Sequence, residues 1–221
     1  MLDWISKGGW LMWPILMAGL GVVYLFLERL LHFHRVQIHT ADFVSGICNS
    51  LKRGNLIEAE ATCNETSGPV AQVVKTAIVN HDRSREEIRE AVQDVARTEV
   101  AHLERRLPVL ATLAQVTPLL GFLGTVFGMI RMFRVIQEVQ LPSAGQLAGG
   151  VWEALITTAA GLIVAIPAYV AYNYLVSRVQ HLVLDMERAA NEIVGFLLRH
   201  GESGSQEEPI VLAAKPKRGG V

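Results

Sequence analysis

Charge is missing from three long stretches of this 221-residue sequence. Gly9–Leu27, Leu107–Ile130 and Ala154–Ser177, of 19, 24 and 24 residues, contain no Asp, Glu, Lys or Arg. About 20 apolar residues in a helix cross the ~30 Å hydrocarbon core of a bilayer, so each stretch is long enough to span one. All 20 basic and 21 acidic residues lie elsewhere, at a density no lower than the roughly 25% of ordinary soluble chains. This distribution excludes a single water-soluble globule and describes a membrane protein with soluble parts, in contact with membrane lipid. Cysteine is scarce too. Cys48 and Cys63 have neither CxxC spacing nor a companion His cluster, which argues against a disulfide framework or a metal site and leaves two free thiols; no cofactor is expected. With a net charge of −1 and no basic face, nucleic acid is not an expected partner. No G-x-x-x-x-G-K-[ST] phosphate loop is present, so nucleotide bound to this chain is not the expected energy source. An enzyme is not expected either: a membrane-embedded hydrolase needs a nucleophile beside a base, and His32, His34, His39, His81, His102, His181 and His200 all fall outside the uncharged stretches.

The first stretch reads as a retained span and not a cleaved signal, because its apolar run exceeds the usual 7–15 residues and no small-x-small site precedes Glu28 and Arg29. Trp4, Trp10, Trp13 and Tyr24 suit its membrane–water boundaries. Basic residues mark the cytoplasmic side of spans. Ten Lys/Arg lie in 32–106 and six from Arg178 onward, against two in 131–150 and Lys7 alone before the first stretch. The expected organisation is all-α and polytopic, with three transmembrane helices, two of them extended into a helical cytoplasmic region. It has a periplasmic N-terminus and first span (1–31), a cytoplasmic helical region (32–106) and a second span (107–131). A periplasmic loop (132–149), a third span (150–177), a cytoplasmic helix (178–200) and a disordered tail (201–221) follow.

Start and stop signals divide the 32–106 region. Thr40 can cap a helix carrying Phe43, Ile47 and Leu51, ended by Gly54. Asn55 can cap a second helix through Cys63. Ser67-Gly-Pro69 starts a third, with Pro at the first position and Val70, Val73, Val74, Ala77 and Ile78 on its apolar side. Ser84-Arg-Glu-Glu87 is a capping box, and the helix it opens is expected to run on into the second span, bent at Pro108 and Pro118.

The second and third stretches carry polar and small residues that pure hydrocarbon would not favour. Thr112, Gln115, Thr117, Gly121, Gly124, Thr125 and Gly128 lie in one; Thr157, Thr158, Gly161 and Pro167 lie in the other. Two readings compete. In the first, glycines at Gly121, Gly124, Gly128 and Gly161 let helix backbones approach while threonines bond their own helix carbonyls. In the second, the polar groups line an ion path. Glu153 favours the second, since a charge in a span costs roughly 2.5–3.5 kcal/mol on insertion scales and normally faces a bundle interior or water; the alternative is a residue at the outer boundary. If the outer loop is centred near residue 141, antiparallel partners satisfy i + j of about 282 from helical rise alone. Thr125 then lies level with Thr157, and Thr158 with Gly124, with Glu153 about one turn nearer the outside.

Pro118-Leu-Leu-Gly-Phe-Leu-Gly-Thr-Val-Phe-Gly-Met and Glu153-Ala-Leu-Ile-Thr-Thr-Ala-Ala-Gly-Leu-Ile-Val-Ala-Ile-Pro-Ala-Tyr-Val-Ala-Tyr-Asn173 closely resemble the paired motifs of the MotA/TolQ/ExbB proton-channel family. The resemblance extends to Glu28-Arg29 and to the three-span organisation. It implies that Thr125, Glu153 and Thr158 line the proton path, whereas four-residue spacing from Glu153 selects Thr157. It further implies a homopentamer enclosing a dimer of a single-span ExbD/TolR-like protein, whose membrane aspartate carries the proton. Such a complex would deliver work to a TonB- or TolA-like protein for outer-membrane transport or envelope maintenance. A non-conducting oligomeric membrane scaffold, whose glycines only pack helices, is the alternative.

Overall fold

The computed structural model describes residues 9–36, 39–139 and 143–204. Among them the chain is helical, without strands. Seven helices follow in order: α1 Met12–Val36, α2 Thr40–Lys52, α3 Leu56–Glu65, α4 Pro69–Val79, α5 Arg85–Glu104, α6 Leu107–Glu138 and α7 Ala144–Gly204. Met12–His34, the successive α5 and α6 over Arg85–Glu138, and Ala144–Arg199 are long and apolar enough to cross a membrane. The aromatic Trp4 of the sequence reading lies outside the described residues.

The short helices begin where local chemistry places them. Asn55 caps α3, its side-chain oxygen accepting from the Glu58 N–H at 3.2 Å. Gly68 precedes Pro69 at the start of α4. The capping box ahead of α5 is reciprocal: Ser84 N–H donates to Glu87 Oε2 at 2.9 Å and Glu87 N–H donates to Ser84 Oγ at 3.3 Å. At α2 the cap is His39, without a side-chain bond, and Thr40 is the first helical residue, one position later than its capping role required. Gly54, at φ +72°, turns the chain after α2, a conformation that glycine adopts without the Cβ penalty.

Three boundaries depart from the sequence reading. The helix opened by Ser84 stops at Glu104, and α6 starts anew at Leu107 after Arg105 and Arg106. Pro108 stands in the first turn of α6, where its missing N–H would be unsatisfied anyway, whereas Pro118 lies within continuous α6. Much of the expected loop 132–149 is helical, because nothing from Met132 to Glu138 stops α6 and Ser143 starts α7. Ser143 N–H donates to Gln146 Oε1 at 2.9 Å and Gln146 N–H donates to Ser143 Oγ at 3.3 Å, an S-x-x-Q capping box. Finally α7 continues through Gly204, so 201–204 of the expected disordered tail are helical. Extending a formed helix adds one bond per residue fixed, which carries it past polar composition. Residues 205–221 lie outside the described residues.

The chain divides into two units. One, within Met1–Ile38 and Arg97–Leu184, has a core of Val22 and Phe33 from α1, Leu103 from α5, Leu107, Leu110 and Ala114 from α6, and Ala168, Leu175 and Val179 from α7. An ion pair joins Glu28 of α1 to Arg106. The other, within His39–Ala96 and Asp185–Val221, buries Ile47 and Leu51 of α2, Ala59 and Cys63 of α3, Val70, Val73, Val74, Ala77 and Ile78 of α4, Ile88 and Val92 of α5, and Met186 and Ile193 of α7.

Candidate functional site

The site lies in the first unit, where α6 and α7 form an antiparallel hairpin. Glycines set its closeness. A Cβ on Gly161 would fall 2.9 Å from Gly121 Cα and 2.9 Å from the Thr117 carbonyl oxygen; one on Gly128 would fall 2.6 Å from the Gly150 carbonyl oxygen and 2.7 Å from Ala154 Cβ. Real Cβ atoms do not tolerate such distances, so the backbones meet where side chains are absent. The contacts Gly121–Gly161, Gly128–Ala154 and Met132–Gly150 keep the register of a hairpin centred near residue 141.

The threonines bond to carbonyls. Thr112 Oγ1 donates to Pro108 O at 2.8 Å, Thr117 Oγ1 to Leu113 O at 2.5 Å and Thr125 Oγ1 to Phe122 O at 2.6 Å, all within α6. Thr157 is 1% exposed. Its side chain occupies the space that a Cβ on Gly124 would need, and its hydroxyl lies 3.0 Å from the Glu153 and Ala154 carbonyl oxygens. Thr158 reaches across the hairpin, Oγ1 donating to Gly121 O at 3.0 Å. The partners are therefore turned from the sequence estimate: Thr157 meets Gly124, Thr158 meets Gly121, and half-buried Thr125 bonds its own helix. Within one chain each of these hydroxyls bonds a different carbonyl.

Glu153 has a partner that its sequence neighbourhood did not reveal. Arg131 Nη1 donates to Glu153 Oε2 at 2.5 Å, with the Glu153 side chain 12% exposed and that of Arg131 62% exposed. The hairpin register contained the signal, since 131 and 153 sum to within two of the estimated i + j of about 282. The segment before α1 completes the surroundings. Gly9, at φ +67°, lies against the Glu153 carboxylate, where any side chain would overlap it. Trp10 meets Phe127 edge-on, with ring centroids 6.0 Å apart and planes at 73°. A cavity of about 130 Å³ is lined by Trp10, Leu11, Gly124, Phe127, Ile130, Arg131, Arg134, Glu153 and Thr157, large enough for several waters. A carboxylate and two guanidiniums on its wall can orient water or hold a proton-bearing group.

Among the described residues no group of three or more His, Cys, Asp or Glu is placed to hold a metal ion. Cys48 and Cys63 are free and buried. Burial, with Glu192 adding to it, pushes the Cys48 thiol up, and burial pushes Cys63 up to about 11. Neither is a thiolate nucleophile near neutrality.

Comparison with known proteins places the hairpin in context. The chain is 29% identical over 180 residues to a biopolymer transport protein ExbB homolog of Methanothermobacter thermautotrophicus, covering 81% of this chain and 64% of that protein. It is 41% identical over 101 residues to the Tol-Pal system protein TolQ of Haemophilus influenzae, covering 46% of this chain and 44% of that one. The chain thus spans about half to two thirds of the length of these relatives. The solved structure of C. jejuni MotAB shares the fold, with a TM-score of 0.62 at 18% identity over 88% of this chain and 79% of that one. The sequence profile of the MotA/TolQ/ExbB proton channel family matches residues 65–188, more than half of the chain and all of α6, and on this ground the protein belongs to that family.

Proposed function

We propose that this chain is the ring-forming subunit of a proton-driven motor in the bacterial inner membrane, with its N-terminus periplasmic and its C-terminus cytoplasmic. Five copies surround a dimer of an ExbD/TolR-like single-span protein. Protons cross on that partner's acid, beside Thr125, Glu153 and Thr158, driven by a potential worth roughly 2.3 kcal/mol per charge per 100 mV. The work passes to a TonB- or TolA-like protein for outer-membrane transport or envelope maintenance. The observation that carries this reading is the family match across 65–188, which takes in both faces of the hairpin and the ion-paired Glu153. Exposed apolar residues support an assembly in lipid: only 17%, 17% and 33% of the apolar 18-residue stretch in each of the three candidate spans is buried within the chain.

A scaffold without conduction draws support from one observation, the engagement of all three site hydroxyls by backbone carbonyls. The two readings part on proton flux. The complex with its single-span partner, reconstituted in vesicles containing a pH-sensitive dye, is expected to pass protons under an imposed potential. Thr125→Val and Glu153→Gln are expected to keep the oligomer and abolish the flux, with Thr157→Val milder. Full flux in both Thr125→Val and Glu153→Gln would overturn the assignment of these residues, and an assembled wild-type complex without flux would favour the scaffold.

A further inference from the structure

We propose that Arg131 is the positioning residue for Glu153, and that proton-coupled work depends on the pair and not on the Glu153 charge alone. This rests on the channel reading above. The Glu153 side chain is nearly enclosed while that of Arg131 is mostly exposed. A carboxylate withdrawn from water is costly when unpaired, and an arginine can bury its stem while its head stays near water. Arg131 therefore supplies the counter-charge from the outer part of α6 without being buried itself. The bond joins α6 to α7, so it also fixes which way the carboxylate leaves its helix. Gly9 leaves room for the carboxylate, and the Trp10–Phe127 contact flanks the cavity. Arg134 is the other charged side chain on that wall, one helical turn from Arg131, and is the group to which a released Glu153 would turn.

The test uses the reconstituted complex and its single-span partner. Arg131→Gln is expected to lower proton flux at least tenfold, equivalent to about 1.4 kcal/mol, with Arg131→Gln/Arg134→Gln lower still. Arg131→Lys, which keeps the charge, is expected to recover most of the flux. In the Glu153→Gln background, where flux is already lost, Arg131→Gln is expected to leave the Tm of the purified oligomer unchanged, although it lowers Tm when Glu153 is present. Equal Tm losses with and without Glu153 would overturn the proposal, as would a Tm coupling with flux unchanged in Arg131→Gln. A conducting wild type with a fully active Arg131→Gln overturns the proposal alone, whereas a wild type that passes no protons overturns the channel reading and the proposal with it.

Discussion

In α4, a glycine cap and a first-turn proline open a helix whose buried positions are Pro69, Val70, Ala71, Val73, Val74, Ala77 and Ile78. In the α6–α7 hairpin the close contacts are Gly121, Gly124, Gly128, Gly161 and Thr157, while Leu119, Phe122, Ile163, Ile166 and Val170 face outward. The inversion follows from the solvent. Against water, burying aliphatic surface gains roughly 25 cal/mol per Å², so large apolar side chains turn inward. Against hydrocarbon that gain vanishes, and helices associate through close backbone approach and interhelical hydrogen bonds. The apolar residues then have no reason to leave the outer face. Local bonds do not follow the solvent in this way: α3, α5 and α7 all open on side-chain caps, at Asn55, Ser84 and Ser143, and threonines bond carbonyls one turn back in both regions, Thr62 and Thr76 as well as Thr117.

The largest effect expected from this contrast is in the second unit. Ile47 is fully buried, and Ile47→Ala is expected to cost about 2–5 kcal/mol, read by thermal unfolding in detergent. The counterpart Ile163→Ala, on an outward face of α7, is expected to leave Tm unchanged; a comparable loss there would mean that a protein surface covers this face in the assembly. Next comes Gly161→Leu, which drives a side chain into the Gly121 and Thr117 backbone and is expected to cost about 1–3 kcal/mol or more, with loss of the oligomer on size-exclusion chromatography. Unaltered elution would show that the hairpin can separate without harm to assembly.

Ser84→Ala is a smaller change, about 1 kcal/mol from the lost cap. The Ser84 hydroxyl, then its backbone N–H, hold the Glu87 carboxyl below its ordinary value near 4.5. A depressed folded value gives a contribution present above the ordinary value and lost as pH falls through the folded one. The acid limb of the stability profile is therefore expected to flatten in Ser84→Ala, and an unchanged limb would exclude this bond as its source. Gly149→Ala should act least and in the opposite sense. No atom lies within contact of a Cβ there, so replacing a helical glycine is expected to stabilise by up to about 1 kcal/mol. A destabilised oligomer would mark Gly149 as covered by a neighbouring chain.

Three spans, the caps at Asn55 and Ser84 and the buried face of α4 follow from the chain read alone, because uncharged length, S-x-x-E spacing and 3.6-residue periodicity act within a few turns of helix. The capping box at Ser143 was equally local and shows that α7 begins earlier than the apolar run suggests. The paired motifs around Gly124-Thr125 and Glu153 were also legible, as was the hairpin register, because rise per residue is constant. Which groups meet across the hairpin was not. Thr157 against Gly124, Thr158 on the Gly121 carbonyl and Arg131 on Glu153 depend on the rotation of each helix about its axis, where one residue's step turns a side chain by about 100° while shifting its depth by only about 1.5 Å. The approach of Gly9 to the same carboxylate and of Trp10 to Phe127 depends on chain more than a hundred residues away, brought there by the packing of α1 on α6. Local chemistry thus determined the elements and the polar residues they carry. Helix rotation and long-range packing, invisible to any short window of sequence, decided which of those residues touch.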